Sequence, residues 1–419
     1  MKKIIHRRKT CRDCDGYDLE KVFSLKPTPI GDAYVTSEKR HVIQPSYPID
    51  LYMCKSCGLA QLIDVIDPDI LYGEYIYVTA SSTGLSGHFQ AYADSVIDLC
   101  GLKAGSLVVD LGSNDGTLLR SFQQRGMSVL GVEPAAHIAA KATNSGIMTI
   151  DDYFSPDLAK KMVVSHGHAK LITANNVFAN IDDLMSWVVA VNELLDDDGV
   201  FVFESYYLAD LVQNMVFDFI YHEHLSAFSV RPIQALFERV GLELVVVKRV
   251  ATKGGSLRYF VQRSKGPLKK DGSLLEMLAL EESIGLYRIG TFMAYADKID
   301  ALKERTMTFL ATVKSEGKSI AGFGASITGT TLIYHFEIGE YLDYLVDDNP
   351  AKQQRFSPGF HLPVFATSVL YEKKPDYVLI LAWRYADQII RSNETYLGAG
   401  GTFIVPVPSL KLVGRDSTN

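Results

Sequence analysis

Between residues 107 and 262, short β-branched runs alternate with helical periods, and this alternation restricts the fold more than any other feature of the sequence. Strands are expected at 107–110, 129–133, 148–150, 171–174 and 200–204, with helical segments such as 116–124 and 183–195 between them. Strand and helix in alternation imply a parallel sheet with right-handed crossovers. Two further runs, 242–247 and 257–262, follow as an antiparallel edge to that sheet. A helical segment with one charged face, 273–313, then bridges to a second alternating region. There the strands are expected at 319–322, 344–346, 377–381 and 402–405, and the helices at 327–334 and 387–396. The fold class is α/β, built twice on one architectural idea.

The first 72 residues read differently. They are rich in turns, with Pro27, Pro29, Gly31, Pro45 and Pro48. A core this small usually needs a staple. Cys11/Cys14 and Cys54/Cys57 form two Cys-x-x-Cys pairs about forty residues apart, a spacing suited to zinc. Gly16 and Gly58 follow the pairs and let backbone approach sulfur. Four thiolates close the coordination shell, so the zinc is expected to be structural. Disulfides are the alternative, disfavoured in a reducing compartment. Cys100 stands apart in an apolar helical context and reads as a buried structural cysteine. The domains are expected at 1–72, 73–263 and 264–419.

The net charge of −7 over 419 residues argues against a nucleic-acid partner, which would demand a basic face. No apolar run is long enough to span a bilayer. The N-terminus is basic but lacks the apolar stretch of a signal peptide. The expectation is a cytoplasmic monomer without membrane or nucleic-acid partners.

Val108-Val109-Asp110-Leu111-Gly112-Ser113-Asn114-Asp115-Gly116 ends a buried strand and opens a helix. Glycines allow close backbone approach, and the helix N-terminus offers free N–H groups. Asp110 and Asp115 would repel a pyrophosphate; they suit a cationic ligand or an amino group. The next strand ends at Glu133, about twenty residues on, where a carboxylate grips ribose hydroxyls in such folds. An ordinary turn with solvated acids is the alternative.

Tyr221-His222-Glu223-His224 lies beyond the fifth strand. Adjacent side chains diverge, which disfavours joint ligation of one metal. Acid–base chemistry suits the histidines better, since imidazole titrates near neutrality; surface histidines with ordinary partners are the plainer reading. In the second region, Gly322-Phe323-Gly324-Ala325-Ser326-Ile327-Thr328-Gly329 is close to a dinucleotide turn, though its spacing differs, and Asp347-Asp348-Asn349-Pro350 ends the next strand. NAD binding and a ligand-free structural domain both stay open on these residues.

The acid-containing turn with its ribose-type acid resembles the class I methyltransferases. Adding the cysteine knuckles, Asn175-Asn176-Val177-Phe178, Tyr221-His222-Glu223-His224 and Gly254-Gly255-Ser256-Leu257-Arg258, nearly the whole chain is similar to the sugar C-methyltransferases. That resemblance implies a zinc-binding N-terminal domain, a Rossmann-like class I methyltransferase core and a second Rossmann-like domain holding a nucleotide diphosphate. It implies that Asp110, Gly112, Asn114 and Asp115 hold the methionine part of S-adenosylmethionine. Glu133 would hold the ribose, Asp152, Tyr153 and Phe154 would flank the adenine, and Asn175 and Asn176 would lie over the cofactor. His224 would take a proton from carbon 3 of a nucleotide-linked, dTDP-type 4-keto-deoxysugar, and the enolate would attack the sulfonium methyl group. Tyr221 and Glu223 would orient sugar or base, with His222 and Asn180 in the same group. Tyr75, in preference to Tyr77, would approach the sugar. Tyr77, Arg258, Gly324, Asp347, Lys352, Arg355 and Trp383 would meet the substrate, with Arg384 beside Trp383 lining the same cleft.

Two departures from the family pattern matter. Asn180 stands where the family often has histidine; asparagine donates a hydrogen bond but accepts no proton in this role, so a two-histidine relay is not expected. In Lys352-Gln353-Gln354-Arg355 a usual glycine is missing, though Lys352 and Arg355 still suit phosphate. The competing functions are methyl transfer to oxygen or nitrogen, a dehydrogenase using NAD in the C-terminal domain, and a non-catalytic zinc-ribbon interaction protein.

Overall fold

The computed structural model describes residues 4–72 and 85–415. Tyr75 and Tyr77 lie outside the described residues. Contacts divide the chain into two compact units that do not follow chain order. The first comprises Met1–Glu20, Tyr52–Ala209 and Leu225–Tyr287; the second comprises Lys21–Leu51, Asp210–His224 and Arg288–Asn419.

The first unit is built on a seven-stranded sheet. Its strands run, edge to edge, Leu242–Val250, Ser256–Arg263, Leu195–Tyr206, Ala169–Asn175, Leu107–Leu111, Ser128–Val132 and Thr149–Ile150. The last five are parallel, and Ser256–Arg263 is antiparallel to both its neighbours. The expected parallel sheet with an antiparallel end is therefore present. Val108, Val109, Leu171, Ile172 and Val202 are wholly buried, as central strands covered on both faces must be. One side packs on Phe122, Leu119 and Tyr92, together with Cys100, which is buried as expected. Elsewhere in the unit Phe178 stacks on Trp187 at 5.0 Å and meets Phe203 edge-on at 4.9 Å.

The knuckle segments are stitched into this unit. Ile5–Arg7 pairs with Asp64–Ile66, and Ala60–Leu62 pairs with Ser226–Ala227. Arg12, 3% exposed, donates from Nη1 to Leu225 O at 2.6 Å and from Nη2 to Leu62 O at 2.7 Å and Asp182 at 3.2 Å. Its neighbour Asp13 pairs with Arg239. The staple thus holds the larger core as well as its own loops.

The stretch read as one helix over 273–313 is two, Ser273–Ser283 and Ile289–Ser315, parted where Gly285 turns to φ 63°. The buried Glu281 accepts from Tyr207 Oη at 2.9 Å and from Val230 N at 2.6 Å, placing a carboxylate on the N-terminus of the helix Val230–Glu238.

The second unit carries a six-stranded sheet in the order Val364–Phe365, Tyr344–Val346, Ile320–Phe323, Tyr377–Ile380, Thr402–Val405, Lys411–Val413, parallel except for the last strand. The helix expected over 387–396 is two short ones, Ala386–Ser392 and Glu394–Gly398. The loop around Gly31 lies so close to the helix Ile327–Phe336 that a Cβ on Gly31 would come within 2.6 Å of Ile327 Cγ2. Among the described residues, no helix is long and apolar enough to cross a membrane.

Candidate functional site

The four knuckle cysteines bring their sulfurs within 4.8 Å of one another, with Cys11–Cys57 at 3.6 Å and Cys14–Cys54 at 3.5 Å. A zinc tetrahedron with bonds of about 2.3 Å has edges of about 3.8 Å, so the set fits the metal. The same separations are far beyond a disulfide bond. Cys11 Sγ accepts from Gln61 Nε2 at 3.0 Å and from Asp13 N at 3.4 Å, the outer bonds that steady a thiolate ligand. All four donors are thiolates, so the zinc is structural.

At the first glycine-rich turn, Gly112, Asn114 and Gly116 adopt φ of 73°, 49° and 75°. The left-handed positions let the backbone fold back between the strand Leu107–Leu111 and the helix Thr117–Gln124. Glu133 braces the turn: its Oε2 accepts from Asn114 N and its Oε1 from Ala135 N, both at 2.9 Å. Each oxygen keeps a lone pair for a ribose hydroxyl. Asp115 Oδ1 accepts from Thr117 Oγ1 at 2.6 Å and secures the helix start. Asp110 is buried, with Thr173 Oγ1 donating to it at 2.6 Å. Burial pushes its carboxyl up to about 7, the Thr173 bond opposing and the charge of Glu133 adding. A cationic amino group would relieve that strain.

Among the described residues, the amide of Asn175 and the hydroxyl of Ser113 are buried without a hydrogen-bond partner. Native interiors rarely leave such groups alone, and they suit a polar cofactor. Asn176, at φ 59°, donates its N–H to Glu204 O at 2.8 Å and redirects the chain after the strand. Asp152 is exposed and accepts from Tyr153 N at 2.8 Å; Tyr153 is 45% exposed, and Phe154 meets Trp187 edge-on at 5.3 Å. Asn180 closes a short 3-10 turn, and its Oδ1 is buried without a partner among the described residues.

Arg258 belongs to this unit. Its Nε and Nη2 both donate to Glu204 Oε2, at 3.1 and 2.9 Å, and its guanidinium lies 4.0 Å over Tyr92. Thr252 Oγ1 donates to Glu204 Oε1 at 2.9 Å, with His88 Nε2 3.5 Å from the same oxygen. Burial raises the Glu204 carboxyl, but the His88 hydrogen bond and the charge of Arg258 outweigh it and hold the group at about 2. Sequence reading missed Glu204, His88 and Thr252. The available signal was a cross-strand pair of opposite charge, since Glu204 and Arg258 face each other in register.

In the second unit, His224 Nδ1 lies 2.7 Å from Phe219 O, and its Nε2 lies 2.8 Å from Tyr221 Oη. A carbonyl only accepts, so Nδ1 carries a proton, and in a neutral ring Nε2 is the basic nitrogen that faces the Tyr221 hydroxyl. The two rings sit 3.9 Å apart. His222 is buried, and burial pushes it down to about 4, with Nε2 3.3 Å from Tyr47 O. Glu223 is buried and pushed up to about 8 by burial and the charge of Asp32, with Lys352 opposing.

Lys352 Nζ donates to Ala325 O at 2.7 Å and pairs with Asp32 at 2.7 Å, so the lysine stands at the second glycine-rich turn. Asp347 accepts from Ala325 N at 2.6 Å and Asn349 N at 2.8 Å, the bracing that Glu133 gives the first turn. Gly324, at φ 103°, has no room for a side chain: a Cβ would come within 2.8 Å of Ala382 Cβ. Gln354 adopts φ 63°, the left-handed position suited to the family's glycine; Arg355 follows, half-buried. Trp383 Nε1 donates to Asp218 Oδ2 at 3.0 Å, and Arg384 pairs with the same carboxylate. A hollow beside the turn is lined by Tyr34, Ser326, Thr330, Ile333, Ser357 and Phe360.

Three family models match the chain. A "C-methyltransferase C-terminal domain" covers residues 251–408, a "Methyltransferase domain" covers 86–247, and a "Putative zinc binding domain" covers 11–72. The C-methyltransferase NovU of Streptomyces niveus is 33% identical over 419 residues, spanning 100% of both chains. Magnesium protoporphyrin IX methyltransferase from Synechocystis PCC 6803, solved with bound S-adenosylmethionine, is 15% identical at a TM-score of 0.33, covering 46% of this chain and 88% of its own. A methyltransferase dependent on S-adenosylmethionine from Clostridium acetobutylicum is 14% identical at a TM-score of 0.34, covering 48% and 96%.

Proposed function

Because this chain belongs to the C-methyltransferase family and transfers methyl groups from S-adenosylmethionine to carbon, we propose that its acceptor is carbon 3 of a dTDP-linked 4-keto-deoxysugar, with His224 as the base. Family membership favours carbon over oxygen or nitrogen as acceptor. Carbon is a poor nucleophile until the proton beside a ketone is removed, so such an enzyme needs a base and donors for the developing oxyanion. S-adenosylmethionine, when bound, supplies a sulfonium-activated methyl group. Asp110, Asn114, Glu133 and Asn175 hold it through its amino group, ribose and polar edges.

The observation that carries this reading is the fixed tautomer of His224. Phe219 O holds the proton on Nδ1, so Nε2, 2.8 Å from Tyr221 Oη, is the nitrogen that takes one from carbon. Tyr221 Oη occupies that lone pair at rest and yields as the substrate proton arrives. Glu223, raised to about 8, is protonated at neutral pH and able to donate to the ketone oxygen as it becomes an enolate. Lys352 and Arg355 meet the diphosphate; Gly324 lets it approach the turn, and Asp347 keeps the turn in shape. The test is His224→Ala: methyl transfer is lost while S-adenosylmethionine binding is kept, and near-normal turnover would remove His224 from the role.

A further inference from the structure

The segment that carries His224 has little regular structure of its own. Met215 turns to φ 59°, a 3-10 turn spans Phe217–Phe219, and beyond it His224 N donates to Tyr221 O at 2.9 Å. Asp218 lies inside this segment, and none of its surface is exposed. Its carboxylate accepts from Trp383 Nε1 at 3.0 Å and from Arg384 Nη1 at 2.8 Å to Oδ1 and 2.7 Å to Oδ2. The same guanidinium reaches Thr328 Oγ1 through Nη2 at 2.9 Å and lies 4.5 Å over the Phe219 ring. Thr328 sits in the first turn of the helix Ile327–Phe336, 3.0 Å from the Ser326 hydroxyl that caps it.

These contacts form one chain from the second glycine-rich turn to the imidazole: Ser326, Thr328, Arg384, Asp218, then the Phe219 carbonyl that holds His224 Nδ1. The carbonyl belongs to the residue directly after Asp218, so a shift of that carboxylate moves the acceptor that sets the ring. A buried ion pair adds little stability over an apolar pair of the same shape, because desolvation offsets the attraction. What a planar guanidinium provides that an apolar side chain does not is a fixed direction to two partners.

We infer that Asp218, Arg384 and Thr328 are positioning residues for the reaction: they hold the tautomer and place of His224 and couple both to occupancy of the glycine-rich turn. The inference rests on His224 being the base and on that turn holding the diphosphate. None of the three residues touches the reacting atoms. Misplacement of a base by about 1 Å lowers turnover on the order of a hundredfold, and that loss should fall on kcat.

The test is nuclear magnetic resonance of the full-length protein with 15N-labelled histidine. His224→Gln assigns the relevant ring among the ten histidines. In the wild type, Nδ1 should be protonated and Nε2 bare, and added dTDP should shift the signal. Arg384→Lys keeps the charge beside Asp218 but lacks the planar fork; Thr328→Val keeps the shape but lacks the hydroxyl. Both should give mixed tautomers or a displaced ring signal, lose the response to dTDP, and lower kcat at least tenfold with unchanged affinity for S-adenosylhomocysteine. Thr328→Ser should restore the wild-type pattern. If Arg384→Lys fails to fold, Thr328→Val carries the test alone. Wild-type ring signals, dTDP response and kcat in the folded variants would overturn the inference while leaving His224 as the base. Normal turnover in His224→Gln would overturn the base assignment, and the catalytic role of the clamp with it.

Discussion

Replacing Gly112 with alanine should weaken both the fold of the first unit and its hold on S-adenosylmethionine, for two separable reasons. The residue sits at φ 73°, where an alanine methyl crowds its own backbone at a cost of ~1–2 kcal/mol. The new Cβ would also stand 2.5 Å from Val177 Cγ2 and 3.1 Å from Val177 Cβ. Neither is the far end of a flexible chain, so the overlap should add about 1–3 kcal/mol. Val177→Ala removes the 2.5 Å contact and leaves only the 3.1 Å approach to Cβ, which a small shift relieves, together with the backbone strain. The double-mutant cycle should therefore show Gly112→Ala costing about 2–5 kcal/mol in the parent and only ~1–2 kcal/mol in the Val177→Ala background. Urea unfolding with and without S-adenosylhomocysteine is the assay, because the transition that the ligand shifts is the one that contains the turn. Equal costs in the two backgrounds would refute the packing argument. No cost in either would refute the turn geometry as well.

Metal analysis should find about one zinc per chain. Cys14→Ser should lose it and lower the stability of the seven-stranded core too, since Arg12 and Asp13 join the knuckle to that core; thiols intact with no metal would contradict this. Arg12→Met should destabilise by about 3–5 kcal/mol by stranding the Leu62 and Leu225 carbonyls and Asp182, and a change below ~1 kcal/mol in thermal unfolding would count against the network. Asp110, raised to about 7, favours the folded apo protein only while protonated, so that contribution is lost as pH rises through about 7. The ligand's ammonium group favours the ionised carboxylate, so affinity for S-adenosylhomocysteine should rise about tenfold from pH 6 to pH 8; calorimetry showing a flat profile would separate Asp110 from the amino group.

The seven-stranded sheet, the four inner strands of the six-stranded sheet and the cysteine cluster were legible in the sequence because their signals are local, whereas the short edge strands Val364–Phe365 and Lys411–Val413 were not. Buried strands such as Leu107–Leu111 announce themselves by β-branched runs, and a Cys-x-x-Cys pair needs only its own turn. The break at Gly285 was hidden because helical residues flank it on both sides. The pairing of Ala60–Leu62 with Ser226–Ala227 joins segments far apart in the chain, and short strands leave no mark of their partner. Buried ion pairs were equally silent. Asp218 reads as one more polar residue in a loop until Trp383 and Arg384 close on it, and Arg12 reads as a knuckle charge until two carbonyls receive it. Gln354 is the reverse case: the missing glycine was visible, and the structure supplies its meaning as a left-handed residue.

The most direct measurement follows solvent deuterium into the sugar. Incubated in heavy water with a dTDP-linked 4-keto-6-deoxyhexose and no methyl donor, the wild-type protein should place one deuterium on carbon 3, and His224→Ala should place none. Equal exchange with both proteins, or methylation by the wild type at a carbon that never exchanges, would contradict an enolate formed by this imidazole.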